Sequence, residues 1–210
     1  AMGLALGVLG AAYNRVIIIG LDIFERVSVY PVELRAALVG AVVGGLAWFD
    51  PWLVGGGDVI NQRVLVGSIP LTTLVAVFLL RWFLGPFCYS ASTPGGLFAP
   101  LLVIGAAFGF LFAGVLGVLM PGLGLSPVAF AIVGMSTFFV SVVRSPLTGL
   151  VLVIEMTATT TLIAPMLVAA AAALLVTTLL GSSPIYDTLR ERMLRRMVSH
   201  PAPSDTPRYV

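Results

Sequence analysis

The stretch "SASTPGGLFAP", residues 90–100, interrupts a sequence that otherwise consists largely of long apolar runs. Pro94 ends the helix before it, because proline lacks a backbone N–H and its ring clashes with the preceding turn. Gly95 and Gly96 let the backbone turn without a Cβ penalty. Pro100 suits the first turn of the next helix, which continues as "LLVIGAAFGFLFAG". The stretch therefore predicts a break between two helices.

The composition of the surrounding chain indicates a membrane protein. Hydrophobic residues make up 59% of the 210 residues and charged residues only 10%, and the mean hydropathy is +1.10. Soluble domains carry about 25% charged residues. A transmembrane barrel would show short alternating segments rather than long apolar runs. We therefore predict an all-α polytopic membrane protein. The net charge of +2 makes nucleic acid a poor partner.

The apolar segments are uneven in length, which predicts tilted, broken and re-entrant helices. Several are shorter than the ~20 residues that cross a bilayer upright. Such helices are tolerated inside protein or around a wet cavity, and their breaks point to binding sites. Ser-Pro pairs begin three of the helices, because serine caps a helix and proline suits its first turn. The predicted segments are 2–21, 32–49, 69–89, 97–119, 127–143, 146–157 and 162–180, with a polar-tipped helix over 184–198.

Small residues four apart predict tight helix crossings, because they allow two backbones to approach closely. Gly40 and Gly44 have this spacing, as do Gly105 and Gly109. The spacing then continues along the same segment at Ala113 and Gly117.

The helix start after the break has the chemistry of an anion site. The backbone N–H groups of Leu97, Phe98 and Ala99 have no partners within the helix that follows. The helix N-terminus also carries partial positive charge, so these groups can attract an anion without a fixed cation. The alternative is a re-entrant loop or kink that binds nothing.

Two further residues are candidates for function. Tyr186, in "GSSPIYDTLRERM", lies in the first turn of a helix that begins at a Ser-Pro pair, where its phenol could donate a hydrogen bond. The alternative is an aromatic anchor at the membrane interface. Glu155 is an acid in an apolar helix, where it could carry protons or serve as a structural helix-end residue. Arg144 comes just before that helix, eleven residues ahead of Glu155, and the resulting separation of about 16 Å is too great for a local ion pair.

Three motifs, in this order, resemble the second half of the CLC family of chloride channels and proton-coupled chloride antiporters. They are "GGLFAP" at 95–100, "RSPLTGLVLVIEMT" at 144–157 and "SPIYDTL" at 183–189. The string "VGGGDVI" at 54–60 resembles the family's triple-glycine segment, although Asp58 departs from its pattern. The resemblance covers nearly the whole chain.

The resemblance implies a homodimer with one anion pathway in each subunit. The amides of Leu97 and Phe98 and the hydroxyl of Tyr186 would bind the central chloride. The loop residues Gly95, Gly96, Ala99 and Pro100 would shape that site, and chloride would be a substrate with no cofactor needed. Leu162 and Ile163 match dimer-interface positions. Glu155 matches a position other than the gating acid, and a tyrosine at 186 favours the chloride branch over the fluoride-exporting branch.

The loops of the family's first half, including the one that carries its gating glutamate, do not occur in these 210 residues. We therefore expect residues 1–198 to be the C-terminal half of a CLC-type transporter that needs an N-terminal half as partner. We expect residues 199–210 to be a short disordered cytoplasmic tail, and the membrane to be a plasma or inner membrane. The orientation follows from the positive-inside rule and the arginines Arg190, Arg192, Arg195 and Arg196.

Two other functional classes remain as alternatives. A scaffold or assembly subunit that transports nothing would also lack the gating loop. A membrane-embedded enzyme is disfavoured, because the sequence has neither a His-Glu zinc pattern nor a Gly-x-Ser-x-Gly motif. Its single histidine, His200, lies in the tail. The sequence leaves open channel against antiporter and chloride against nitrate.

Overall fold

A computed structural model describes residues 1–26, 31–90, 96–122 and 124–199. Within these ranges the regular structure is helical, as the composition predicts. The helices are α1 (Met2–Arg26), α2 (Val32–Phe49), α3 (Asp58–Val66), α4 (Leu71–Ser90), α5 (Phe98–Leu119), α6 (Pro127–Val143), α7 (Pro146–Thr157), α8 (Ile163–Leu179) and α9 (Ile185–Ser199), with a 3₁₀ turn at Pro51–Leu53.

The predicted segments match these helices closely, with two differences. The first helix extends to Arg26, beyond the last residue of the apolar run. Helix α3 was not predicted, because its sequence "DVINQRVLV" is too polar to stand out in an apolar chain. Two glycines in the left-handed region bound it, Gly57 at φ 96° and Gly67 at φ 71°, a conformation that other residues adopt at a steric cost.

The Ser-Pro pairs start helices as predicted, with one shift of register. Helix α6 begins at Pro127, and the Ser126 side chain accepts a hydrogen bond from the Ala129 N–H at 3.3 Å. Helix α7 begins at Pro146, where the Ser145 hydroxyl bonds the Thr148 hydroxyl at 2.6 Å instead of capping the backbone. Helix α9 begins one residue after its proline, at Ile185.

The centre of the molecule is the crossing of α5 and α6, against which α1 and α8 also pack. Carbonyl groups of α6 lie against the glycines of α5, so that a Cβ on Gly105 would lie 2.9 Å from the Gly134 carbonyl carbon. Fully buried aromatic residues surround this crossing, among them Tyr13, Phe138 and Phe139. Close backbone packing and ring packing together make the core.

The described helices fit a bilayer in length and composition. Three of them, α1, α4 and α5, are long and apolar enough to cross a membrane, and α6, α7 and α8 are shorter apolar helices. Large apolar side chains remain exposed on the outside, including Trp48 at 86% and Phe49 at 88%. An apolar exterior of this kind is stable against lipid or another apolar chain.

Candidate anion-binding site

The predicted helix start lies where the sequence placed it. Helix α5 begins at Phe98, with Leu97 as its N-cap residue. The first backbone bond of the helix runs from the Leu101 N–H to the Leu97 carbonyl oxygen at 3.1 Å, and Pro100 has no N–H. The N–H groups of Phe98 and Ala99 therefore precede the first intrahelical donor. Gly95 and Pro94 lie outside the described residues.

The backbone conformation at residue 96 does not require a glycine. Its φ lies outside the left-handed region, and a Cβ built there would meet nothing within 4 Å. There is therefore room for a side chain at Gly96 itself, and the expectation that a Cβ would be penalised here is wrong for this residue. Leu97 beside it is buried, with 3% of its surface exposed.

The rings of Phe98 and Tyr186 lie next to each other, although the two residues are far apart in sequence. Their centroids are 6.0 Å apart. On its other side the Phe98 ring stacks on the buried Phe139 ring, at 5.2 Å and 21°. Aromatic pairs at such separations attract each other beyond simple burial. The structure thus brings together side chains from the first turns of α5 and α9, and each helix start carries partial positive charge.

Asn14 and Arg144 hold the segment that leads into α9. The Asn14 amide nitrogen donates to the Ser183 carbonyl oxygen at 3.1 Å. The Arg144 guanidinium donates to the Thr177 carbonyl oxygen at 2.9 Å and to that of Ser182. Arg144 itself ends α6 at φ 62°. These bonds connect the start of α9 to α1 and α6, and so fix where the Tyr186 ring lies.

A cavity of about 170 Å³ lies behind the turn that precedes α5. Arg81, 4% exposed, forms part of its wall and donates to the carbonyl oxygens of Gly55 at 2.8 Å and Val54 at 3.1 Å. A buried guanidinium is stable only with such partners. Arg81 therefore holds the triple-glycine segment against the helix start, where Gly57 packs on Val103 too tightly for a Cβ.

Tyr186 stays in its neutral form over the physiological range. Its side chain is partly covered, with 38% of its surface exposed. An ordinary tyrosine already has a pKa of about 10. The Tyr186 hydroxyl is therefore a hydrogen-bond donor without formal charge.

The other predicted residues lie away from this cluster. Glu155 is exposed in the last turn of α7, near the left-handed residue Ala158 that ends the helix. Leu162 is the N-cap residue of α8, and Ile163 is its first residue. Both are half-buried against the core of the chain. Their roles in a proton path or a dimer interface stay predictions.

Sequence reasoning missed three polar residues that position the cluster, namely Asn14, Arg81 and Arg144. Asn14 and Arg81 are nearly fully buried. The sequence did contain one signal. Asn14 and Arg81 stand within apolar helices, where a polar or charged residue needs a buried partner. Their partners are backbone carbonyls that are distant in sequence, so the sequence could mark the residues but could not identify the partners.

The fold defines a class of protein. It is a helical membrane protein in which helices long enough to cross a bilayer alternate with shorter, broken ones. Within that class the family can be named. The family described as "Voltage gated chloride channel" matches residues 1–178, so the chain belongs to the voltage gated chloride channel, or CLC, family. The resemblance drawn from the three motifs, to the C-terminal half of such a protein, is confirmed.

Relatives with known names support this assignment. The chain is 37% identical over 197 residues to the H(+)/Cl(-) exchange transporter ClcA of Vibrio parahaemolyticus, covering 92% of this chain and 42% of that protein. It is 33% identical over 204 residues to ClcA of Klebsiella pneumoniae, covering 96% of this chain and 43% of that protein. The chain thus spans less than half the length of these relatives.

Solved structures show the same fold. The crystal structure of a slow cyanobacterial Cl⁻/H⁺ antiporter is similar with a TM-score of 0.85 and 34% identity, over 92% of this chain and 46% of that one. A eukaryotic CLC transporter is similar with a TM-score of 0.73 and 25% identity, over 90% of this chain and 33% of that one. The all-α fold predicted from the sequence, with broken helices, is the fold of these transporters.

Proposed function

We propose that this chain forms one half of a chloride pathway in a CLC-type channel or proton-chloride antiporter. Chloride is the substrate, bound by the backbone N–H groups of Leu97 and Phe98 and by the hydroxyl of Tyr186. Gly95, Gly96, Ala99 and Pro100 form the loop and first turn that present those amides. The mechanism requires no cofactor, because binding and release of an ion involve no bond making.

One observation carries the proposal: the Tyr186 ring lies 6.0 Å from the Phe98 ring, centroid to centroid. The two rings belong to the first turns of two helices, and helix N-termini favour anions. The ring cluster contributes no formal charge. Partial charges and neutral donors bind an anion weakly enough to let it leave, which rapid transport requires.

The proposal includes a partner and an assembly. An N-terminal CLC half would carry the gating glutamate and complete the pathway, and two complete subunits would form a homodimer through a surface that includes Leu162 and Ile163. The relatives support this by their length, since the chain covers 42% of the Vibrio parahaemolyticus transporter. We place residues 1–198 in the membrane half and 199–210 in a cytoplasmic tail, in a plasma or inner membrane.

The decisive experiment measures chloride efflux from liposomes while recording external pH. It compares this chain alone with this chain co-assembled with an N-terminal CLC half. Flux in the pair and not in the single chain supports the proposal, and proton movement in the opposite direction identifies an antiporter. Absence of flux in the correctly assembled pair favours the scaffold alternative. Flux from the chain alone would contradict the requirement for a partner.

Two variants of the assembled pair test the site itself. Tyr186→Ala removes a donor to a charged ligand, which is worth about 1.5 kcal/mol or more, so chloride affinity by titration calorimetry should fall about tenfold. Met193→Ala is the matched control, because Met193 is 58% exposed on the same helix. Gly96→Gln tests the amides, because the space beside Gly96 is open and a large polar side chain that occupies it should compete with chloride for them and lower flux. Normal flux in that variant would overturn the role of the backbone amides.

A further inference from the structure

Helix α9, which carries Tyr186, is tied to α1 at two separate places. Near its start, the Asn14 amide donates to the Ser183 carbonyl oxygen at 3.1 Å. Further along, Arg192 pairs with Asp22, and its second terminal nitrogen lies 3.7 Å from a carboxylate oxygen of Glu25. The two places are roughly 10 to 14 Å apart along each helix at 1.5 Å per residue. The segment that leads into α9 and the middle of α9 therefore both contact α1, in the same order along the two helices.

Arg192 lies on the face of α9 that packs on the molecule. Ile185 on this face is fully buried, Leu189 is half-buried, and Arg192 follows at the same helical spacing; residues three and four apart share one face. On the other side, Met193 and Leu194 are 58% and 51% exposed. Over residues 190–195, the described contact of α9 with α1 is therefore this charge pair.

The acids of α1 are placed to receive this arginine. Asp22 and Glu25 are three residues apart and share a face of α1, close to its C-terminal residue Arg26. Acids near a helix C-terminus are unfavourable, because that end carries partial negative charge. A guanidinium between them offsets this cost. The side chain of Arg192 is 26% exposed, against 42% for each acid, so water screens the pair only in part.

The position of Tyr186 depends on the direction of α9. Its phenol is one turn from the Asn14 tie, whereas the rest of the helix extends towards Arg192. A helix held only at its start could tilt about that point, and the tilt would move the Tyr186 ring relative to Phe98. The Phe98 ring is itself fixed by stacking on Phe139. The Arg192 pair thus adds to the Asn14 tie and to the packing of Ile185 and Leu189 in holding the two rings in one arrangement.

We propose that Arg192 is a positioning residue for the anion site: by pairing with Asp22 it fixes the direction of α9 and holds Tyr186 beside Phe98. This rests on the proposed function, because it assigns Arg192 to the same chloride site. Arg192 touches neither ring of the site and acts through Tyr186.

The test measures chloride affinity by calorimetry in the chain co-assembled with an N-terminal CLC half. Arg192→Asp and Asp22→Arg, each alone, should weaken chloride binding about two- to fivefold, the range expected for a partly exposed pair. The double variant, which restores the pair with its charges exchanged, should recover to within about twofold. Arg190→Gln, an exposed residue two positions before Arg192 and so on another face of α9, is the matched control and should bind as the unchanged protein does.

A double-mutant cycle separates positioning from general stability. In a Tyr186→Ala background, Arg192→Asp should no longer change chloride affinity. An equal loss in both backgrounds would overturn the proposal, as would unchanged affinity in the single variants. If charge reversal prevents assembly, Arg192→Gln replaces it, with recovery expected in Arg192→Lys and none in Arg192→Met. Failure of the unchanged protein to bind chloride would overturn the proposed function, and the positioning role with it.

Discussion

Two regions of this molecule carry the same small-residue spacing and use it differently. In α5, a Cβ on Gly109 would collide with the Phe130 carbonyl group, whose carbon would lie 2.7 Å away. In α2, a Cβ on Gly40 or Gly44 would meet nothing within 4 Å. The first region is a tight crossing inside the chain and the second is an open surface. The spacing permits a close approach but does not specify its partner.

The same contrast between packed and open glycines occurs within α5. Gly105 and Gly109 of α5 pack against the backbone of α6, whereas Gly117, two turns further on, has open space around it. The prediction of close crossings is therefore correct for the first half of α5, and wrong within this chain for Gly117 and for the α2 pair. Backbone atoms cannot move aside as a flexible side chain can, so substitutions should separate the two cases.

The largest effect is expected at the crossing. Gly109→Ala should destabilise the fold by about 3 kcal/mol, because overpacking against backbone forces helices apart. Equilibrium unfolding in detergent measures this. Gly117→Ala, in the same helix, is the control and should show no loss. Equal stability of the two variants would contradict the tight crossing.

A smaller effect is expected at Gly10 of α1, where the obstacle is a side chain. A Cβ there would meet the hydroxyl of Ser141 and would lie 2.6 Å from its Cβ. Gly10→Ala should destabilise by about 1 to 2 kcal/mol, measured in the same unfolding experiment. Ser141→Gly should recover part of the loss by removing the obstacle. A loss that Ser141→Gly leaves unchanged would show that backbone, rather than this side chain, limits the space.

The open surface should respond with the opposite sign. Gly44→Ala should stabilise the chain by up to about 1 kcal/mol, because alanine loses less backbone entropy in a helix than glycine does. The melting temperature of the chain in detergent measures this gain in stability. Destabilisation at Gly44 would mean that α2 is packed in solution and that the contrast with α5 does not hold.

The smallest effect concerns the anion site, where the rings of Phe98 and Tyr186 lie next to each other. An ordinary tyrosine has a pKa of about 10, so the Tyr186 hydroxyl keeps its proton from pH 6 to about pH 9. The ratio of chloride affinities between the unchanged protein and Tyr186→Phe should therefore stay constant across that range. Calorimetry of the assembled protein at several pH values measures it. A ratio that falls towards one as pH rises would show that the phenol ionises.

Much of the fold and part of the site could be predicted from local sequence. The helix after the break was expected at residue 97 and begins at Phe98, because proline and glycine restrict the chain wherever they stand. Helix α3 was missed because a short polar helix has no apolar pattern. At the site, the residues of the helix start could be named, but the roles of Asn14, Arg81 and Arg144 could not, because their partners are distant carbonyls.

The sequence by itself determined that the chain is a broken-helix membrane protein and where its apolar helices begin, since these properties depend on apolar length and on local backbone restriction. Only the tertiary structure decided that Phe98 lies beside Tyr186, which glycines meet another helix, and which acid pairs with Arg192. The physical reason is distance along the chain. Local chemistry limits what each residue can contact, and packing of the whole chain selects the contact that forms.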